Sequence, residues 1–259
     1  MRAVIDAHIH LDMYTKQEQQ RILQDLDEAN VEALICVSNH LQSAQRLLEI
    51  GKEDVRVKPA IGYHPEQELP TEEEEKALWE LMDQEQHRYV AIGEVGLPYY
   101  MRKENPALDL SAYIDLLERF IRKAAQLNKP IVLHAVYEDA PLVCDLLEKY
   151  QVKKAHFHWF KGDKQTVERL IKNGYYISIT PDCMYEAEIQ QLISTYPLEQ
   201  IMVETDGPWP FEGEFQGRLT HPHMVHRIVE KIAYLKKIDI GQVYRQLYRN
   251  TKEFYNLID

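Results

Sequence analysis

Basic charge is what this chain has too little of. Its 259 residues carry 30 Lys and Arg against 42 Asp and Glu, a formal net charge of −12. A protein that wraps nucleic acid needs a cationic face to neutralise phosphates. An extended nucleic-acid-binding face is therefore excluded in bulk. Chemistry on a phosphate has to rest on a local cationic centre, and bound metal supplies one. Thiols are scarce as well. Cys36, Cys144 and Cys183 are odd in number and form no Cys-x-x-Cys pair. That excludes a disulfide framework and a structural zinc knuckle, and it predicts a reduced, cytoplasmic protein. No apolar run is long enough to span a bilayer, so no membrane partner is expected. Met1-Arg2-Ala3 runs straight into an apolar strand, so no signal peptide is expected either. No repeat, low-complexity stretch or Pro/Gly/Ser linker divides the chain, and residues 1–259 read as one domain.

What is there is an alternation of two segment types. Short runs rich in Val and Ile read as buried strands near 3–9, 31–38, 57–63, 89–95, 130–134, 154–158, 174–180 and 201–205. Between them, apolar residues at three- and four-residue spacing predict helices near 15–29, 41–51, 71–87, 109–128, 138–150, 163–173, 185–195 and 222–237, with a last one near 239–257. Thr71 with Glu74 makes a capping box, which accounts for the acidic cluster Glu72 to Glu75. Val243, Leu247, Tyr248, Phe254 and Tyr255 form a core stripe. Eight strands, each followed by a helix, predict an α/β fold, the (β/α)8 TIM-type barrel. The competing doubly wound sheet wants a Gly-rich phosphate loop after its first strand. Here that position holds His8, His10 and Asp12.

Barrel active sites sit at the C-terminal ends of the strands, so the last inward residue of each strand carries the functional reading. His8 and His10 alternate with Ile9 and point the same way. Later strands end in His64, Glu94, His134, His158 and Asp206. Singly, each has an ordinary structural explanation, such as a hydrogen-bonded core histidine or a paired carboxylate. Together they crowd imidazoles and carboxylates onto one rim, a donor set suited to Zn²⁺, Mn²⁺ or Fe²⁺. Cys183, the one thiol near the mouth, is taken as incidental.

The ordered motifs Asp6-Ala7-His8-Ile9-His10-Leu11-Asp12, Gly62-Tyr63-His64-Pro65, Gly93-Glu94-Val95-Gly96-Leu97, Leu133-His134, His158-Trp159-Phe160-Lys161-Gly162 and Glu204-Thr205-Asp206-Gly207-Pro208 resemble the TatD family of metal-dependent hydrolases, many described as deoxyribonucleases. The resemblance implies a TIM-type barrel with two divalent cations, whether Zn²⁺, Mn²⁺, Mg²⁺ or Fe²⁺. His8, His10 and Asp206 would hold one, and His134 and His158 the other, with Glu94 bridging. His64 and Glu204 would lie beside the metals and contact substrate or orient water. Binuclear amidohydrolases that resemble urease usually bridge with a carboxylated lysine; the fourth strand offers Glu94 and no lysine. Two positions depart from the family pattern. Val136 stands where His-x-Arg is common after strand five, and Pro98 where Gly-Leu-Asp-Tyr is common after strand four. Lys161, Arg102, Lys103 and Arg218 lie on loops that could restore the missing cation.

The expected function is metal-dependent hydrolysis of a phosphodiester, a DNA end or a small nucleotide, with Asp206 as proton acceptor and His64 as hydrogen-bond or proton donor to the oxyanion. The alternatives are amide or lactone hydrolysis at the same metals, and a metal-binding scaffold without turnover. An intact Asp206 argues against the scaffold. Two strand-six histidines share parity, and depth separates them. His158 sits at the rim, while His156 lies about 6.6 Å below and should hydrogen-bond a ligand or an inner group such as Asp6.

Overall fold

A computed structural model describes residues 2–257; Met1 and the last two residues of the expected 1–259 domain lie outside it. Eight parallel strands pair in chain order: β1 Val4–Ile9, β2 Val31–Val37, β3 Val57–Ile61, β4 Ala91–Gly96, β5 Ile131–His134, β6 Ala155–Phe157, β7 Tyr176–Ile179 and β8 Ile201–Val203. The ends of the sheet meet just past β8. The Asp206 amide donates to the His8 carbonyl at 2.9 Å, and the His10 amide donates to the Gly207 carbonyl at 2.8 Å. Below them, Asp6 accepts from the Thr205 amide at 3.0 Å and the Thr205 hydroxyl at 2.5 Å. This is the expected (β/α)8 barrel.

The helices are α1 Lys16–Asp25, α2 Leu41–Glu53, α3 Glu72–Gln84, α4 Tyr99–Glu104, α5 Leu110–Leu127, α6 Asp139–Lys149, α7 Lys164–Asn173, α8 Ala187–Thr195, α9 Val225–Lys236 and α10 Ile240–Phe254. Their starts follow local chemistry. Thr71 and Glu74 form the expected capping box on α3, and Thr15 and Glu18 form another on α1. Helix α4 was not expected, for a physical reason. Pro98 at its N-cap offers no side-chain cap; the Tyr100 and Met101 amides instead donate to Glu66, each at 2.8 Å. A cap from 34 residues away leaves no local signature.

Most buried apolar residues divide between two cores, beside a small third cluster of Phe211, Phe215 and Met224. Ile92, Val95, Ile131, Leu133, Phe157, Ile177 and Val203 face outward into the layer beneath the helices. Ile5, Ala7, Ala33, Ile35, Val37, Ala60, Ala91, Val132 and Met202 fill the barrel, closed by Phe254 and Tyr255. Phe254 packs at a tilt against Tyr176, the first residue of β7, so the end of α10 stops the barrel at the strands' N-terminal side. The strands are all shorter than expected; β3, β6 and β8 end at Ile61, Phe157 and Val203, so His64, His158 and Asp206 lie on the loops just past them. Two other strands break the two-residue period. The pairing of β1 slips between Asp6 and Ile9, and that of β4 slips between Ile92 and Val95. With Ala91 inward and Ile92 outward, strict alternation would turn Glu94 out. The irregularity at Gly93 (φ +152°) turns it in. Ile5 and Ala7 face inward, so His8 reaches the interior through the matching slip in β1.

Candidate metal centre

Four nitrogen and oxygen atoms converge at the mouth, on the seam between β1 and the end of β8. His8 Nε2 lies 3.4 Å from His10 Nε2, 3.1 Å from Glu94 Oε2 and 3.2 Å from Asp206 Oδ1. His10 Nε2 lies 3.2 Å from Glu94 Oε2 and 3.5 Å from Asp206 Oδ1. Ligands about 2.0–2.1 Å from a tetrahedral cation are about 3.3–3.4 Å apart, so these spacings are those of a coordination shell. Glu94 Oε2 and Asp206 Oδ1 are both buried and have no hydrogen-bond partner. Two carboxylate oxygens left this way in a protein interior are costly, and a cation between them removes the cost. The donor set therefore fits a divalent metal.

The other oxygen of Glu94 enters a second cluster. Its Oε1 lies 2.7 Å from His158 Nε2, 3.1 Å from His134 Nδ1 and 3.4 Å from His64 Nε2, while the His134 and His158 nitrogens are 3.3 Å apart. Among the described residues, His8-His10-Glu94 and His64-Glu94-His134 are groups whose ligand atoms lie within 4.8 Å of one another and could hold an ion. So could His8-His158-Glu204. There, however, Glu204 faces the far edge of the His158 ring, with its Oε1 3.5 Å from Nδ1.

The charges interlock. Burial pushes the His8 imidazole down, but Glu94 and Asp206 override it and raise His8 to about 9. Burial likewise opposes His158, which Glu94 and Glu204 carry well above its usual value. Burial opposes the Glu94 carboxylate, yet His158, His64 and His8 hold it well below the usual range. His64, dominated by burial, falls to about 3. A cation bound between these carboxylates would displace protons from the rings and leave them neutral.

The structure brings His8, His10, His64, Glu94, His134, His158 and Asp206 together. It places three expected contacts elsewhere. Glu204 is fully buried behind His158, its Oε1 3.5 Å from Nδ1, and does not line the cavity. Lys161 stands behind Trp159 with its ammonium 3.7 Å from Asp182, a carboxylate that also accepts from Trp159 Nε1–H at 2.6 Å. Arg102 pairs with buried Asp139. Asp6 does not meet His156, which instead contacts Ser178 and Tyr255. Sequence reasoning also missed Glu66. Its Oε1 lies 3.2 Å from His134 Nε2, the ring edge opposite the cluster. Its position two residues after His64 was the available signal.

The centre opens into a cavity of about 340 Å³. Tyr100, Val136, Trp159 and Trp209 line its outer part, and no Lys or Arg lines it among the described residues. Trp159 and Asp206 hold positive φ, +38° and +48°. Non-glycine residues persist there only where their surroundings over-determine them, as at binding sites.

A parallel barrel that gathers imidazoles around a shared carboxylate at its strand ends defines a barrel metal-dependent hydrolase. The family model described as TatD related DNase matches residues 5–256, and the chain belongs to that family. An uncharacterized metal-dependent hydrolase of Haemophilus influenzae is 36% identical over 255 residues, 98% of this chain and 100% of that one. Human deoxyribonuclease TATDN3 is 27% identical, across 97% of this chain and 94% of that protein. The crystal structure of the TatD homologue YjjV of Escherichia coli superposes with a TM-score of 0.85 at 23% identity, covering 99% of each chain.

Proposed function

We propose that this hydrolase is binuclear and cleaves phosphodiester bonds in small diesters or at DNA ends. One observation carries the reading: Glu94 presents Oε2 to one ligand cluster and Oε1 to the other. His8, His10 and Asp206 would hold one divalent cation (Zn²⁺, Mn²⁺, Mg²⁺ or Fe²⁺), and His134 and His158 the second. When bound, two such cations supply Lewis acidity and lower the pKa of water toward neutrality. Asp206 then accepts the proton of the attacking water. Glu94 sets the spacing of the two clusters. The His64 Nδ1 accepts the Glu66 amide at 3.1 Å, so the neutral ring carries its proton on Nε2, aimed at the centre. His64 thereby donates a hydrogen bond to charge developing on the substrate. The whole chain acts as one domain. Three free, buried cysteines accord with a cytoplasmic location.

The cavity wall refines the substrate. With Val136 at the mouth and no Lys or Arg lining it among the described residues, a second or third phosphate would find no cationic side chain there. The aromatic rims of Trp209 and Tyr100 are 53% and 48% exposed and offer stacking surface instead. An uncharged ester or amide fits the same wall, and this keeps lactone or amide hydrolysis as the second reading. A panel of metal-loaded protein against a bis-aryl phosphodiester, an aryl phosphomonoester, a lactone, an amide and duplex DNA separates them. The expected result is turnover of the diester at least about tenfold above duplex DNA at physiological salt, where weak phosphate contacts are screened. Robust duplex cleavage contradicts it.

A second outcome concerns Val136→Arg. The new guanidinium at the mouth should raise kcat/KM for anionic substrates by about five- to tenfold and flatten when salt is raised. Measuring kcat/KM for a dinucleotide against a neutral ester checks this. An equal change for both substrates means that the position does not face the substrate's charge.

A further inference from the structure

One polar line crosses the interior beneath the centre, among the aliphatic side chains that otherwise fill the barrel. His156 on β6, Ser178 on β7, Glu204 past β8 and Tyr255 after α10 are all buried. They form an unbroken line. Tyr255 Oη lies 2.7 Å from His156 Nδ1, His156 Nε2 lies 2.6 Å from Ser178 Oγ, and Ser178 Oγ lies 2.5 Å from Glu204 Oε2. Glu204 Oε1 accepts the Trp159 amide at 2.9 Å and faces His158 Nδ1.

Counting protons fixes the direction of this line. A carboxylate only accepts, so the single Ser178 proton goes to Glu204. Ser178 Oγ must then accept from His156, whose proton sits on Nε2. A neutral imidazole has one donor, and His156 is fully buried between two hydroxyls, which favours the neutral ring. Its Nδ1 therefore accepts, and the Tyr255 hydroxyl donates to it. The reverse arrangement leaves two oxygens 2.5 Å apart with no proton between them. A buried polar chain of this kind is less favourable than an apolar core unless every member is satisfied. Here every link is.

We propose that Tyr255, His156 and Ser178 are positioning residues that hold Glu204 as a fixed acceptor for His158 Nδ1–H, and so leave His158 Nε2 free to take a cation beside Glu94. The proposal rests on the reading of His158 as a metal ligand. Its reach is unusual: the far end is the stopper at the opposite end of the barrel, 99 residues from His156 in sequence. Carboxylates that orient ligand histidines typically change metal affinity 10- to 100-fold when removed.

The test titrates Co²⁺ into the chelator-treated full chain by calorimetry and visible absorption, for wild type, His158→Ala, Ser178→Ala, Ser178→Thr and Tyr255→Phe. His158→Ala should lose one of two binding steps; retention of both overturns its reading as a ligand. Given that loss, Ser178→Ala should weaken one step about tenfold and leave the other unchanged. Ser178→Thr should restore it. Tyr255→Phe should shift the same step in the same sense, and it serves alone if Ser178→Ala does not fold. In zinc-loaded, ¹⁵N-histidine-labelled protein the His158 Nδ1–H should exchange faster in Tyr255→Phe than in wild type. Unchanged affinities, or equal loss at both steps with a lowered melting temperature, overturn the positioning role and leave the line as core structure.

Discussion

Glu94→Gln should lower turnover by about a thousandfold, roughly 4 kcal/mol of barrier, while the fold survives. The amide keeps the shape of the carboxylate but offers one oxygen and one NH₂ group. An NH₂ group cannot ligate a cation, so one of the two clusters gains a donor where it needs an acceptor. The charge that both clusters share is also gone, so five imidazoles then face a neutral group. Metal content of the purified protein should fall by at least one equivalent per chain. The metal-free variant should melt close to metal-free wild type, because removing the carboxylate also removes a buried charge with an unpartnered oxygen. Metal analysis, turnover of a diester and thermal melting check the three parts. Full metal occupancy with wild-type turnover would remove Glu94 from the site.

Asp206→Asn should separate binding from chemistry. Asp206 Oδ1 sits against His8 and His10 at 3.2 and 3.5 Å, and its backbone, at φ +48°, closes the seam to His8. Asn tolerates that left-handed conformation nearly as well as Asp, so the loop keeps its course and the side-chain oxygen stays in place. What disappears is a proton acceptor. Loss of a positioned general base costs about 10²- to 10⁴-fold, and the effect should fall on kcat measured at metal concentrations that saturate both variants. Affinity for the cation should change by less. If kcat is normal at saturation, another group accepts the proton, and Asp206 is a ligand only.

The barrel was legible because parallel strands buried on both faces read as apolar runs, and each run here is followed by a helical period. The centre was legible because polar residues at the ends of such runs have few other uses. What stayed hidden was set by contacts that no local pattern carries. Period two places His8 beside His10, but it also puts Glu94 on the wrong face; the slips in β1 and β4 correct both, and a slip has no signature beyond Gly93. Glu66 caps α4 and braces His134 from loops far apart in sequence. His156 was correctly set one layer down, yet its partners come from β7 and from the chain's C-terminal turn, not from Asp6. The cations on the mouth loops were visible as charges, while the buried acids that occupy Arg102 and Lys161 were not.

The seam between the first strand and the last has a kinetic meaning. Asp6 and Thr205 meet across 199 residues of sequence. Closing so long a loop costs on the order of 5 kcal/mol in chain entropy, and contacts of this span form late. His8, His10 and Asp206 straddle the same seam, so a cation gripped by all three acts as a reversible crosslink between the two ends of the ring. It resembles a disulfide in what it denies the unfolding chain, but a chelator can withdraw it without touching a covalent bond. A metal bound there would make the proposed centre also the latch on the barrel, and the lifetime of the folded state should then follow the supply of metal.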